Sequence, residues 1–244
     1  MFLDRCSRTI LVLSASIFLG ACTPVNPLTV TSKTTTGGSS GCSSSNGPIL
    51  DADIFRLTNM TGGVPSSSSI QCMVSAATAG GTPLAIGSAS MNPPGGGTII
   101  MTEYASNPAC FADSGTGWTY QPGQSYTFHI TAGGATYSAT VTAPGGSATI
   151  PSFGSGGGPI TWSNPGNSDS LTIGEGFSPY TNTTLQPIAS GGIGTSAATY
   201  FPSAGTYYMH LSILKLSPAC AFASGANAAS EAYGEDAYDD DDTK

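Results

Sequence analysis

Two histidines and a few scattered carboxylates are the side chains of this 244-residue chain that could transfer a proton. His129 and His210 each lie on the polar side of an alternating segment, and neither has an acid or a serine motif beside it. A Ser-His-Asp triad could still be assembled from distant positions, because triads are recognised by geometry. Asp169 and Glu175 flank a short apolar run and could act as an acid and base pair for glycoside cleavage, although both are common turn residues. No single reaction is indicated, so we predict a protein that is not an enzyme and needs no cofactor.

The densest group of ligand-type side chains is an acidic block near the C-terminus, with seven acids among the 12 residues from Glu231 to Asp242. Clustered carboxylates are the ligands that Ca²⁺ prefers, although the spacing does not match an EF-hand loop. The weak candidate calcium ligands are Asp239, Asp240, Asp241 and Asp242. Because like charges repel one another, such a block is more typical of a solvated tail. We therefore predict that residues 229–244 are disordered.

Cysteines suggest structural cross-links rather than a metal site. The four that follow residue 22 are Cys42, Cys72, Cys110 and Cys220. An even number favours disulfides in an exported protein, and four cysteines allow three pairings. By elimination we predict the pairs Cys72–Cys110 and Cys42–Cys220. No C-x-x-C or Cys/His spacing predicts zinc.

Aromatic residues in loops offer a second kind of binding chemistry, because an exposed ring can stack on a sugar. The candidate ligand-binding residues are Trp118, Tyr120, Trp162 and Tyr180. Tryptophan is also highly buried on average, so a place in the core is the alternative for both tryptophans.

The charge balance excludes nucleic acid as a partner. The whole chain has a net charge of −8, with six basic residues against 14 acidic ones. The basic residues beyond residue 21 are Lys33, Arg56, Lys215 and Lys244. Binding to nucleic acid requires clustered Lys and Arg to neutralise phosphates, and these four are scattered.

The elements that must position these residues are short strands. The chain has 33 Gly and 17 Pro, which break long helices but suit turns between strands. The predicted strands before residue 105 cover Ile49–Leu57, Ile70–Ala76, Pro83–Met91 and Thr98–Tyr104. Those after it are a hairpin over Ser125–Thr142, two short strands over Pro159–Trp162 and Ser170–Ile173, and a long one over Gly205–Lys215. Such spacings favour an antiparallel β-sandwich.

The predicted hairpin is the clearest of these elements. Its two arms alternate apolar and polar residues. In the first arm the apolar positions are Tyr126, Phe128 and Ile130. Gly133 and Gly134 between the arms supply the positive φ angles of a tight turn. By contrast, the polar, glycine-rich segment 181–194 predicts a long loop or an irregular edge.

A weak internal sequence repeat suggests that the chain contains two related modules. Residues 94–101 and 202–209 align at an offset of 108, although chance similarity in a Gly/Ser/Thr-rich chain would also explain it. That offset is close to the size of one immunoglobulin domain. We predict β modules at 48–120 and 121–228. The pattern resembles immunoglobulin-like or fibronectin-type sandwiches of bacterial cell surfaces.

The N-terminus predicts the location of the protein. Residues 1–21 have basic residues followed by an uncharged apolar run, which is the arrangement of a signal peptide. Leu19-Gly20-Ala21-Cys22 resembles the lipobox of bacterial lipoproteins, which implies that Cys22 is diacylated and becomes the mature N-terminus. Thr23 does not match the aspartate that often retains such proteins in the inner membrane, so the resemblance implies the outer membrane. Residues 22–47 are rich in Ser, Thr and Gly and predict a flexible tether.

Taken together, these features predict a lipid-anchored envelope protein whose non-catalytic β-sandwich has a structural or binding role, with a protein or a glycan as ligand. The first alternative is a carbohydrate-binding or carbohydrate-cleaving surface module. The second is a subunit of an adhesin or surface polymer.

Overall fold

The computed structural model describes residues 45–145, 147–149, 161–163, 170–175, 182–186, 206–217, 221–222 and 225–243. The predicted signal peptide and nearly all of the predicted tether lie outside these residues. The described part of the chain contains no helix and is built from strands.

Six strands come from the first half of the chain: β1 (Ile49–Thr61), β2 (Val64–Ala77), β3 (Ile86–Asn92), β4 (Ile99–Ile100), β5 (Thr102–Tyr104) and β6 (Asn107–Asp113). Those from the middle are β7 (Ser125–Ala132), β8 (Ala135–Thr142), β9 (Ser147–Thr149), β10 (Thr161–Ser163), β11 (Ser170–Glu175) and β12 (Asn182–Gln186). The last two are β13 (Thr206–Leu216) and β14 (Glu231–Thr243).

These strands form two main sheets and one small pair. The larger sheet has eight strands in the order β12, β11, β13, β14, β1, β2, β6, β5, and the smaller has four in the order β4, β3, β7, β8. Strands β9 and β10 pair separately. Every described ladder is antiparallel except that of β1 with β14, which is parallel. The predicted all-β sandwich is confirmed.

The main core lies between the two large sheets. Alternate residues of β1, Leu50, Ala52 and Ile54, are fully buried in it. Strand β7 faces them across the core and contributes Tyr126, Phe128 and other residues of the same parity. Burying one such side chain stabilises the fold by about 1.5–3 kcal/mol before the cost of ordering it is deducted.

Local turn chemistry sets the register of the β7–β8 hairpin. Gly133 and Gly134 have φ angles of 60° and 81°, as a two-residue hairpin turn of this type requires. The register then pairs Ser125 with Thr142 and Ala132 with Ala135. The predicted hairpin is therefore confirmed.

The predicted strand over residues 98–104 is divided between the two sheets. Strand β4 pairs with β3 in the smaller sheet, whereas β5 pairs with β6 in the larger one. The buried Met101 lies between them, and its backbone amide donates to the carbonyl of Ala89 at 3.0 Å. The chain thus crosses from one layer to the other at the edge of the core.

The prediction that residues 229–244 are disordered is wrong. Residues 231–243 form β14, which is paired on both sides, with β1 and with β13. That prediction relied on polar composition, which does not exclude a strand whose neighbours satisfy its backbone and its charges. The described part of segment 181–194 contains β12 at the edge of the larger sheet, which agrees with the edge alternative rather than with a loop.

The two predicted modules share their sheets. Strands β1, β2, β5 and β6 from residues 48–120 join the same eight-stranded sheet as β11 to β13 from residues 121–228. The two segments of the weak internal repeat also occupy different positions in the sheets. Residues 99–100 form a short edge strand, whereas residues 206–216 form an internal strand of the larger sheet.

Candidate functional site

A buried ion pair joins the first and last strands of the sandwich. The parallel register places Arg56 of β1 directly beside Asp236 of β14, so both side chains lie on the face of the larger sheet that packs on the core. Nε of Arg56 donates to Oδ1 of Asp236 at 2.7 Å, and NH2 of Arg56 donates to Oδ2. The Asp236 side chain has no exposed surface, whereas that of Arg56 is 23% exposed.

Two tyrosines complete this cluster, which we call the Arg56 cluster (Arg56, Asp236, Tyr120 and Tyr238). The hydroxyl of Tyr238 donates to Oδ2 of Asp236 at 3.0 Å, because residues two apart in a strand share a face. The guanidinium of Arg56 lies 4.6 Å from the ring centroid of Tyr120, a cation–π contact.

Burial dominates the electrostatics of the cluster. Burial alone would lower the pKa of Arg56, but the hydrogen bonds and the charge of Asp236 raise it above its ordinary value. Burial raises the pKa of Asp236, and Arg56 and Tyr238 oppose that shift. Burial also raises the pKa of Tyr120.

The chemistry of this arrangement is that of a cross-link. Both oxygens of Asp236 accept hydrogen bonds from neighbouring side chains, and its partner Arg56 remains protonated at any physiological pH. Removing either charge would leave the other buried without compensation, which is strongly unfavourable. The cluster therefore fixes β14 beside β1.

A sequence signal could have revealed the cluster. Arg56 is the only arginine after residue 21, and it follows Ile54 and Phe55 inside an apolar strand pattern. A charged residue in a half-buried strand requires a partner of opposite charge. The acidic block is the richest source of such partners, but composition alone does not select Asp236.

Of the four candidate calcium ligands, the two whose side chains are described do not share a face. Consecutive strand residues point to opposite faces, so Asp239 and Asp240 are on different faces of β14. Oδ2 of Asp240 accepts a hydrogen bond from the backbone amide of Gly63 at 3.1 Å. The side chains of Asp241 and Asp242 lie outside the described residues, and no group of three potential metal ligands occurs among the residues described.

The predicted Cys72–Cys110 disulfide is wrong. Cys72 is a buried free thiol in the main core. Cys110 pairs in register with Ser75, three residues from Cys72, and so projects from the opposite face of the sheet, where it packs with Met73 and Ala112. Burial raises the pKa of Cys72, which keeps its thiol protonated. Cys42 and Cys220 lie outside the described residues.

Two of the aromatic ligand candidates belong to the core. Trp118 and Tyr120 are 7% and 9% exposed, so neither offers a platform on which a sugar could stack. Nε1 of Trp118 donates to Oδ1 of Asp113 at 2.8 Å, and its ring packs edge-on against Tyr126. Trp162 is in β10, but its side chain is not among those described, and Tyr180 lies outside the described residues.

His129 is the one catalytic candidate whose side chain the structure describes. His129 is half-buried on the polar side of β7, and its Nε2 lies 3.4 Å from Nδ2 of Asn92. The backbones of His210 and Glu175 belong to the paired strands β13 and β11, where Glu175 lies beside Met209. Asp169 lies outside the described residues.

Comparisons with protein families and with curated proteins find no match to this chain. Among the residues that the structure describes, no helix is long and apolar enough to cross a membrane.

Proposed function

We propose that the protein is a lipid-anchored bacterial envelope protein whose β-sandwich body has a structural or binding role and no catalytic one. The observation that carries this proposal is Leu19-Gly20-Ala21-Cys22, followed by 26 mostly small and polar residues before β1 begins at Ile49. Two or more acyl chains give stable membrane attachment, since each buried methylene contributes about 0.8 kcal/mol. Thr23 favours the outer membrane as the destination.

The folded body supports a structural or binding role. Its buried ion pair joins the terminal strands, and both oxygens of Asp236 are occupied by internal donors. Such a pair stabilises one arrangement of the chain and leaves no free carboxylate oxygen for chemistry. We expect a partner, whether a protein or a glycan, to bind the polar surface of the sandwich.

Lipid attachment is tested by intact mass and by incorporation of a labelled fatty acid. The wild-type chain should begin at Cys22 and carry acyl chains, and Cys22→Ala should carry none. Cys6→Ala is the matched control, because it removes a cysteine of the same predicted signal region and should leave acylation unchanged. A mature chain that begins at an unmodified residue would overturn the proposed anchor.

The position of the body is tested by adding protease to whole cells. Cleavage of the tether in intact cells would place the body outside and direct the search toward external ligands. Protection in intact cells, followed by cleavage in broken ones, would place it in the periplasm.

The carbohydrate alternative now depends on Trp162 and Tyr180, because Trp118 and Tyr120 are buried. It predicts binding to a glycan array that is lost in a Trp162→Ala, Tyr180→Ala double variant. The alternative of an adhesin or polymer subunit instead predicts assembly that increases with concentration in sizing experiments.

A further inference from the structure

The first and last strands of the body are parallel neighbours, and this places the two ends of the body at opposite ends of one ladder. The ladder runs over ten pairs, from Asp51 beside Glu231 to Met60 beside Asp240. The chain enters β1 at Ile49 and leaves β14 at Thr243. Ten strand residues span about 30 Å.

This arrangement determines how the fold would respond to a pulling force. A force that separates the N-terminus from the C-terminus acts along the two strands and tries to slide them past each other. All the evenly spaced hydrogen bonds of a parallel ladder then share the load. If the same strands were pulled apart from one end, the bonds would break one after another.

Side-chain contacts join the chain near β14 to the β1–β2 region at three levels. At the start, the amide of Leu50 donates to Oγ of Ser230 at 3.0 Å. In the middle, Arg56 holds Asp236 through two hydrogen bonds. At the far end, the amide of Gly63 donates to Asp240.

The second edge of β14 is also held. Strand β14 pairs with β13 over 11 residues, from Tyr233 beside Leu216 to Thr243 beside Thr206. Strand β1 is likewise paired with β2 on its other side. Sliding β14 along β1 would therefore also break the β13 ladder or move β13 with it.

We propose that the β1–β14 pair, with its Arg56–Asp236 cross-link, is a shear clamp that lets the sandwich withstand a force applied between its N-terminal membrane anchor and the C-terminal end of β14. The source of the load rests on the proposed lipid anchor. The mechanical resistance is a property of the fold alone, so the two can fail separately.

Single-molecule pulling on the mature chain tests the clamp with two attachment geometries. In the first, handles are fixed to the N-terminus and the C-terminus, which loads the ladder in shear. In the second, handles are fixed to the C-terminus and to an azide-bearing amino acid at the exposed Thr61, beside the end of β14, which peels the ladder open. At one pulling speed, we expect a several-fold higher unfolding force in the first geometry. Equal forces, or a lower force in the first, would overturn the clamp.

A variant tests the contribution of the cross-link. Asp236→Asn should lower the unfolding force in the shear geometry more than in the peeling geometry, because only shear loads the whole ladder at once. Glu103→Gln changes an exposed acid of β5 and should alter neither force. If Asp236→Asn lowered the unfolding force equally in both geometries, the cross-link would not contribute specifically to resistance against shear. If Asp236→Asn does not fold, the wild-type comparison of geometries still decides whether a clamp exists.

Discussion

Strands β7 and β14 are both internal strands, but the β7–β8 and β1–β14 ladders join residues at very different separations along the chain. Strand β7 pairs with β8 through a two-residue turn, and no pair in that ladder is more than 17 residues apart, as in Ser125 with Thr142. Strand β14 pairs with β1, and Arg56 and Asp236 are 180 residues apart. Local pairing closes a short loop, whereas the long-range pairing must first overcome a larger loss of chain entropy.

The two strands also differ in what they bury. Alternate residues of β7 place large apolar side chains such as Phe128 in the core. Strand β14 places Ala232, Asp236 and Tyr238 on the corresponding face of its own sheet. An acidic segment can thus become an internal strand when small residues allow close packing and its buried carboxylates find donors, as Asp236 does in Arg56 and Asp240 does in the amide of Gly63.

Removal of β14 should have the largest effect. A chain that ends at Ser230 exposes β13 and β1 as unpaired edges in the middle of the larger sheet and leaves Arg56 without its partner. We expect loss of the cooperative unfolding transition, measured by circular dichroism during denaturation. A chain shortened only by Lys244 should behave as wild type. Retention of a native transition without β14 would show that β14 is dispensable.

The apolar side of the comparison is tested by Phe128→Ala. Phe128 has no exposed surface, and truncation of such a residue lowers the free energy of unfolding by about 3–5 kcal/mol. Urea denaturation measures the change, and Thr136→Ala on the exposed end of β8 is the control, with an expected change within about 0.5 kcal/mol. A small effect for Phe128→Ala would mean that the core is not packed as described.

The ionic side of the comparison is tested by Asp236→Ala, which leaves Arg56 buried without a counter-charge. We expect a loss of about 3 kcal/mol, at the lower end for a broken buried pair, because water reaches the partly exposed Arg56. The double variant Arg56→Met, Asp236→Leu should regain much of that loss, since an apolar pair of similar volume removes the unpaired charge. If the double variant is as unstable as the sum of the single variants, the two side chains are not coupled.

High pH should destabilise the body through its buried tyrosines. Burial raises the pKa of both Tyr120 and Tyr126 above the ordinary value of 10.0. The native state therefore keeps protons that the unfolded chain releases, so this stability is present below pH 10 and is lost as the pH rises above it. While a tyrosine is ionised in the unfolded chain and still protonated in the native state, it lowers the free energy of unfolding by about 1.4 kcal/mol per pH unit.

Denaturation between pH 8 and pH 11.5 measures this slope. Tyr126→Phe should reduce it, whatever the variant does to stability at neutral pH, because phenylalanine does not titrate. An unchanged slope in Tyr126→Phe would show that Tyr126 ionises equally in both states.

Much of the fold could be predicted from the sequence where neighbouring residues decide the structure. The alternation and the two glycines predict the β7–β8 hairpin with its correct register, and apolar runs predict β1 and β13 to within a few residues. The change of sheet at Met101 was missed, because the run from residue 98 to 104 is continuous and nothing local marks the crossing.

The candidate site was largely missed, because its residues come from opposite ends of the chain. The sequence pattern marks the acids of β14 as ligand-type residues but does not show that Arg56 lies opposite one of them. The predicted Cys72–Cys110 pair is wrong for a related reason. Cys72 and Cys110 are on neighbouring strands, but Cys110 pairs with Ser75, so the two cysteine side chains point to opposite faces of the sheet. This outcome depends on the register of the two strands, which the sequence does not specify.

The central position of β14 also determines when the protein can fold. Ribosomes and export channels release a chain from its N-terminus, so β14 is the last of the described strands to emerge. Until it arrives, β1 and β13 lack the strand that joins them, and the larger sheet consists of two separate parts. If the protein is exported as proposed, its larger sheet is therefore still incomplete while β1 and β13 cross the channel, and the sheet can form only after β14 has followed them.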